Sequence, residues 1–360
     1  MIAARRLIVA LVVCGFVALV PLRADIPARL SDTAFWELSE RFSEANGEFQ
    51  SDNFLSNERG YQVVIPDLVK TARPGRVYLG VGPEQNYPYI LALKPQLAII
   101  FDVRRGNLHE QLLYKALFEM TGDRVEFLSR LFSRPIPTGL NSASSITGIM
   151  AAFQQVSPTE ALYAANFKAV SDQLTMKHGF ALHADDLDGI DYVYKTAFYT
   201  GGPNLTYSMA GRGSRGGFNR GSFGGTYGEI QALDDGAGVN RGFLANEANW
   251  NAMKDLEERN LIVPVVGDFA GTKAIRGVGA WLKAQGAMVS AFYLSNVEQY
   301  LNRNGVEDAF LCNVAQLPLD ESSTFIFTGA GRYGSGGGRG GGLNTTFLRP
   351  MLPDAKSCGR

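Results

Sequence analysis

Residues 76–105 read RVYLGVGPEQNYPYILALKPQLAIIFDVRR. An apolar, β-prone run from Arg76 to Leu79 ends in Gly80-Val81-Gly82, where a strand would hand over to a helix. Pro83 follows, and proline suits a first helical turn because the N–H it lacks has no intrahelical partner there. Tyr87 to Leu93 is expected to form a short helix, and Leu97 to Phe101 a second buried strand that ends at Asp102. Strand, glycine turn, helix, strand, acid is the first half of a nucleotide-binding Rossmann unit. Asp102 stands 22 positions after Gly80, close to the roughly 20 expected of an acid that hydrogen-bonds a ribose hydroxyl.

A second unit of the same kind lies far downstream. Leu261 to Val266 is strand-like, and Gly267-Asp268-Phe269-Ala270-Gly271 is a turn. Ile275, Val278 and Leu282 then share one face of a helix that Gly286 stops. The strand Ala287 to Leu294 follows and ends at Ser295-Asn296-Val297-Glu298. Pro264 inside the first of these strands points to an edge position or a bulge. Phe310 to Val314 and Thr324 to Phe327 read as two late strands joined by a loop containing Pro318. The pattern predicts an α/β fold: a Rossmann-like, mainly parallel sheet closed by a C-terminal antiparallel hairpin.

In an open parallel sheet, ligands bind beyond the carboxyl ends of the strands. Those ends present Gly80, Gly82 and Glu84, then Asp102 and Arg104, then Asp268, then Ser295, Asn296 and Glu298. Their convergence from distant parts of the chain is expected to form a pocket for a small nucleoside-type ligand. Each also has a purely structural use. Asp268 can cap the helix after it, Glu84 can complement a helix N-terminus, and Asn296 and Glu298 can cap a turn.

Between the two units, Asn107 and Glu110 stand as a variant capping box. The helix they would open buries Leu108, Leu112, Leu113, Ala116 and Leu117, and Gly122 would end it. Val125 to Phe132 is a further helix, and residues from about 135 to 250 form a helical insertion. Within that insertion, residues 211–228 read GRGSRGGFNRGSFGGTYG, with eight glycines. Residues 329–342 read GAGRYGSGGGRGGG, and the chain from 331 to 360 is expected to be a disordered tail. Neither glycine-rich stretch has the apolar mass to pack.

Ser51 to Glu58 (SDNFLSNE) is dense in hydrogen-bonding groups. It is either a capped loop or a polar lid near the glycine turn. His109 falls early on an amphipathic helix and is expected at a surface or interface. His178 and His183 flank Asp185, Asp186, Asp188 and Asp191. Their irregular spacing suits a solvated acidic turn better than a metal site, so no metal is expected.

The N-terminus has the pattern of a signal peptide. Ala3-Ala4-Arg5-Arg6 is a basic opening, Leu7 to Val20 is an apolar run of 14 residues, and Pro21-Leu22-Arg23-Ala24 offers a cut before Asp25. The run is short for a membrane span, so export with no stable span after cleavage is the expectation. Without residues 1–24 the chain carries 31 basic and 35 acidic residues, a net charge of −4. That balance does not recruit nucleic acid or an anionic membrane. Cys312 and Cys358 are the cysteines left, and an exported protein permits a bridge between them.

The glycine turn departs from the dinucleotide fingerprint G-x-G-x-x-G, because Gln85 stands at the third small position. The layout resembles instead the Rossmann-like fold of S-adenosylmethionine-dependent methyltransferases. Gly80, Gly82 and Asp102 match that family's motifs, while Tyr78 replaces an acid and Glu84 the third glycine. SDNFLSNE (51–58), YLGVGPEQNYPYI (78–90), FDVRRGNLHEQLLYKALFE (101–119), NLIVPVVGDFAG (260–271) and FYLSNVEQYL (292–301) resemble an uncharacterised bacterial protein family associated with a methyltransferase-like fold. The resemblance implies S-adenosylmethionine as cofactor, held near Gly80, Gly82, Glu84, Asp102, Asp268 and Asn296. It leaves open methyl transfer to an unknown acceptor, and a non-catalytic nucleoside-binding or envelope protein on the same fold. Arg215-Gly216-Gly217-Phe218 is similar to the RGG segments of RNA-binding tails, which the acidic balance disfavours.

Overall fold

The two apolar runs that flank the glycine turn lie side by side in the middle of one sheet. In the computed structural model, residues 25–49, 51–207, 225–329 and 345–358 are described. The strands are β1 (Val77–Val81), β2 (Leu97–Asp102), β3 (Ile262–Val266), β4 (Val289–Ser295), β5 (Thr324–Gly329) and β6 (Thr345–Pro350). Their order is β3-β2-β1-β4-β5-β6. The first five are parallel, with Val77 opposite Leu97 and Ala98 opposite Ile262, and β6 runs antiparallel to β5. This is a Rossmann-like order, and the direction of winding reverses at β1 and β4.

Strands β1, β2 and β3 are buried at every position. Apolar runs without alternation are what a parallel sheet covered on both faces requires. The covering helices are α1 (Asp32–Phe42), α2 (Ile65–Thr71), α3 (Tyr87–Leu93), α4 (Arg105–Met120) and α5 (Arg124–Phe132). Then come α6 (Ile146–Gln154), α7 (Glu160–Asp172), α8 (Ala184–Val193), α9 (Tyr227–Gln231) and α10 (Glu247–Glu258), all ahead of β3. The set closes with α11 (Ala274–Ala284), α12 (Val297–Arg303), α13 (Glu307–Val314) and α14 (Met351–Ala355). α1 packs on β3 and α11, and α11 packs on α13. α10 packs on both α3 and α4.

Pro264 sits in an edge strand, as its missing donor demands. The Ser39 hydroxyl of α1 donates to the Pro264 carbonyl at 2.6 Å.

Several readings are corrected. Phe310 to Val314 belongs to helix α13, not to a strand. Phe310 and Val314 lie four residues apart on its buried face. The antiparallel partner of Thr324–Gly329 is β6, drawn from residues expected to be a tail. A disulfide between Cys312 and Cys358 ties α13 to the segment after α14. Asn107 and Glu110 cap nothing: α4 begins at Arg105, and both side chains are buried along its length. His109 is also buried, with Nε2 2.9 Å from Asp186 Oδ1.

The stretch 211–228 is only partly described. Tyr227 and Gly228 open α9 behind a Thr226–Glu229 capping box, and the Tyr227 ring is fully buried against Phe132. Residues 211–224, the glycines from 330 to 342 and the signal-like residues 1–24 lie outside the described residues.

Candidate functional site

A cavity of about 510 Å³ opens where the winding reverses. Its floor is made of strand ends: Gly82 after β1, Asp102 of β2, Asp268 after β3 and Ser295 of β4. Asn296, Tyr300 and Arg303, on and just before α12, form one wall. Phe49, Asn53, Leu55, Ser56 and Asn57 form another. Within the polar stretch 51–58, expected as a capped loop or a lid, Asn53, Leu55, Ser56 and Asn57 therefore share this cavity with Gly82 of the glycine turn.

Four of the six expected residues line this cavity: Gly82, Asp102, Asp268 and Asn296. Gly80 and Glu84 do not. Gly80 is structural, since a Cβ there would fall 1.9 Å from Asn86 Oδ1. The Asn86 amide ties the turn by donating to the carbonyls of Val81 (2.9 Å) and Pro83 (2.7 Å), and it accepts from the Tyr78 hydroxyl at 2.9 Å. Tyr78, which stands where the methyltransferase motif has an acid, thus serves the turn itself. Glu84 begins a short 3-10 turn, Glu84–Asn86. Its side chain goes into the interior, where Gln231 donates to Oε1 at 3.1 Å and Oε2 has no partner. Burial pushes its carboxyl up to about 8.

Asp102 has a partner of its own. Arg104 closes on it with Nε at 3.0 Å, Nη2 at 2.9 Å and its backbone N–H at 2.9 Å. Both side chains are less than a tenth exposed. Arg104 Nη1 also donates to the Ser51 carbonyl at 3.1 Å, and its guanidinium lies 5.8 Å from the centre of the Phe49 ring. Burial works against this cation, but Asp102 outweighs it and holds the guanidinium above its ordinary range. The pair fastens the lid to the end of β2.

Gly82 adopts φ +79°, and its N–H donates to the Phe101 carbonyl at 3.2 Å. Asp268 uses Oδ1 to accept from the Ala270 N–H at 2.9 Å within its own turn and does not cap α11, where the N–H groups of Lys273 (3.1 Å) and Ala274 (2.9 Å) donate to Glu44 Oε1 instead. Asn296 is the N-cap of α12 but makes no side-chain cap bond. Glu298 turns away to an ion pair with Arg349 of β6.

Sequence reading assigned no role to the group beneath the floor. Glu58, at the end of the lid, is 2% exposed. It accepts from the hydroxyls of Tyr293 (2.8 Å), Thr328 (2.7 Å) and Ser295. Burial raises its carboxyl, and the three hydroxyls oppose that rise. Ser295 has φ +51°, an unusual backbone state for a non-glycine residue and one that recurs at ligand sites. Gln85 in the cavity wall donates through Nε2 to the Tyr293 oxygen at 3.3 Å. The polar density of 51–58 was the signal for Glu58, and Ser295 stood among the expected strand ends, whereas Tyr293 and Thr328 carried no signal of their own.

No group of three or more potential metal ligands occurs among the described residues. No helix among them is long and apolar enough to cross a membrane.

Fold and cavity together define a Rossmann-like α/β protein with a ligand-sized crevice at its switch point. Over residues 53–336 the sequence matches the model of the domain of unknown function DUF7790, and the chain belongs to that family. No curated protein matches it.

Proposed function

We propose that the chain is an exported binding protein whose switch-point cavity takes a small nucleoside-type ligand. The observation that carries this reading is the cavity itself, at the place where open α/β sheets bind ligands. Its size falls in the range of small-molecule sites, and its walls combine four aromatic rings with amide side chains. Phe49, Tyr207, Phe269 and Tyr300 offer faces and edges for a planar base. The Cys312–Cys358 bridge supports an oxidising compartment.

S-adenosylmethionine is the member of this ligand class that the resemblance implies. The residues at hand do not fit it in that family's manner. The Gly82 N–H is spent on Phe101, three of the roughly four acceptor positions of Asp102 are taken by Arg104, and Glu84 is outside the cavity. These commitments favour binding without methyl transfer. The Arg-Gly stretches on which an RNA-binding reading would rest lie outside the described residues.

One acceptor position on Asp102 Oδ2 remains for a ribose hydroxyl. Isothermal titration of the purified chain with adenosine, S-adenosylhomocysteine, S-adenosylmethionine and NAD tests the reading. Adenosine is expected to bind, and Asp102→Ala is expected to weaken it about tenfold or more, the worth of one charge-assisted hydrogen bond. Failure of wild type to bind any of the four defeats the proposal. Adenosine binding that is unchanged in Asp102→Ala moves the ribose elsewhere in the cavity. Turnover of S-adenosylmethionine with a cell extract as acceptor source would restore the methyltransferase reading.

A further inference from the structure

Gln85 stands where a dinucleotide fingerprint carries a small residue, and it is 5% exposed in the cavity wall. Its Nε2 is engaged by Tyr293, while its Oε1 is buried without any hydrogen-bond partner. A buried orphaned acceptor is costly and calls for a donor. The amide cannot simply turn over to relieve it. Tyr293 donates its hydroxyl proton to Glu58, which also receives the hydroxyls of Ser295 and Thr328. The Tyr293 oxygen is therefore left to accept, and only the NH2 end of Gln85 suits it. A turned amide would set two acceptors against each other.

We infer that Gln85 is a specificity residue of this cavity, its Oε1 accepting a hydrogen bond from a ligand amino group, so that a 6-amino purine nucleoside is taken in preference to its 6-oxo counterpart. The inference rests on the nucleoside reading above and sharpens it. The 6-oxo group would bring a further acceptor against Oε1, and the Glu58–Tyr293 relay holds Gln85 in the orientation that rejects it. A site whose buried polar group is left unpaired by the wrong ligand discriminates far more strongly than one that loses only apolar contact.

The test is isothermal titration of adenosine and inosine against the full chain at pH 7.5, with circular dichroism to check folding. Wild type is expected to bind adenosine about ten- to a hundredfold more tightly than inosine, the range for one buried hydrogen bond made or left unmade. Gln85→Leu should bring the two ligands to within about threefold, because neither then meets an amide. Tyr293→Phe keeps Gln85 but removes its lock. It should narrow the preference by improving inosine, an effect that a merely structural role for Tyr293 would not produce. If Gln85→Leu fails to fold, the wild-type ratio and Tyr293→Phe decide. Equal binding of both nucleosides by wild type overturns this inference and leaves the nucleoside reading standing. So does a full preference retained in Gln85→Leu. Binding of neither nucleoside overturns both.

Discussion

Glu84→Gln is expected to stabilise the protein in alkaline solution and to leave it nearly unchanged near pH 4.5. Glu84 is fully enclosed, one oxygen has no partner, and burial raises its carboxyl to about 8. In the unfolded chain the same group titrates near 4.5. Between these two values the folded state holds a proton that the unfolded state has released. Stability then falls as pH rises, by about 1.4 kcal/mol per pH unit for each such group. The contribution is fully present below about 4.5 and is lost by about pH 8, a swing of several kcal/mol. Glu257, also fully buried and raised to about 8, adds a second term of the same sign. Burial raises Glu110 too, beside Glu84. On the acid side the sign reverses. Burial opposes its charge, but His178 and Lys115 hold the Glu119 carboxyl down to about 2. Its contribution is lost as pH falls from about 4.5 through that value. Stability should therefore peak near pH 4 to 5, an acidic optimum for a chain with a sequence pI of 6.4. Urea unfolding at pH 4.5, 6.5 and 8.5 checks this, with equal m-values required for the comparison. The gap between Glu84→Gln and wild type should widen with each step in pH. Parallel curves would mean that the carboxylate reaches water or a cation in solution, and the prediction would be wrong.

How much of this was visible in the sequence depends on the range of the interactions. The parallel strands, the short helix at Tyr87 and the helix that buries Ile275, Val278 and Leu282 follow from local pattern. Pro264 correctly announced an edge. Phe310-Leu311-Cys312-Asn313-Val314 misled because a short apolar run suits a strand or a buried helix equally. Strand β6 was hidden because its partner β5 lies beyond a glycine-rich stretch that carries no periodicity. The location of the cavity was legible, since topology places ligand crevices. Its chemistry was less so. Glu84 and Gln85 are neighbours in one 3-10 turn, and no pattern tells which faces the cavity and which the core. Arg104 was in view two residues from Asp102, but only geometry shows that it closes on the carboxylate. Glu58 lies 235 residues from Tyr293 and 270 from Thr328, so no local signal could pair them.

Glu58→Ala is expected to destabilise the protein by roughly 3–5 kcal/mol, because it removes the common acceptor of three hydroxyls and leaves a void. Two of those hydroxyls belong to buried residues, Tyr293 and Thr328. Glu58→Gln should cost much less, about 1–2 kcal/mol. The amide oxygen still accepts two hydroxyls, and the Ser295 hydroxyl can turn to accept from the amide NH2. The two variants thus separate loss of charge from loss of the acceptor. Because burial already raises this carboxyl, the charge itself should contribute little. The lid ends at Glu58, and Ser295 lies at the cavity floor in a left-handed backbone state. Glu58→Ala should therefore also speed amide exchange in residues 51–58 and at the start of α12, ahead of the rest of the sheet. Denaturant unfolding at pH 7 and hydrogen exchange read by mass spectrometry measure the two effects. If Glu58→Ala stays within about 0.5 kcal/mol of wild type, as surface changes do, the hydroxyls find other partners. The lid is then held by Arg104 and its bond to the Ser51 carbonyl rather than by the carboxylate beneath the floor.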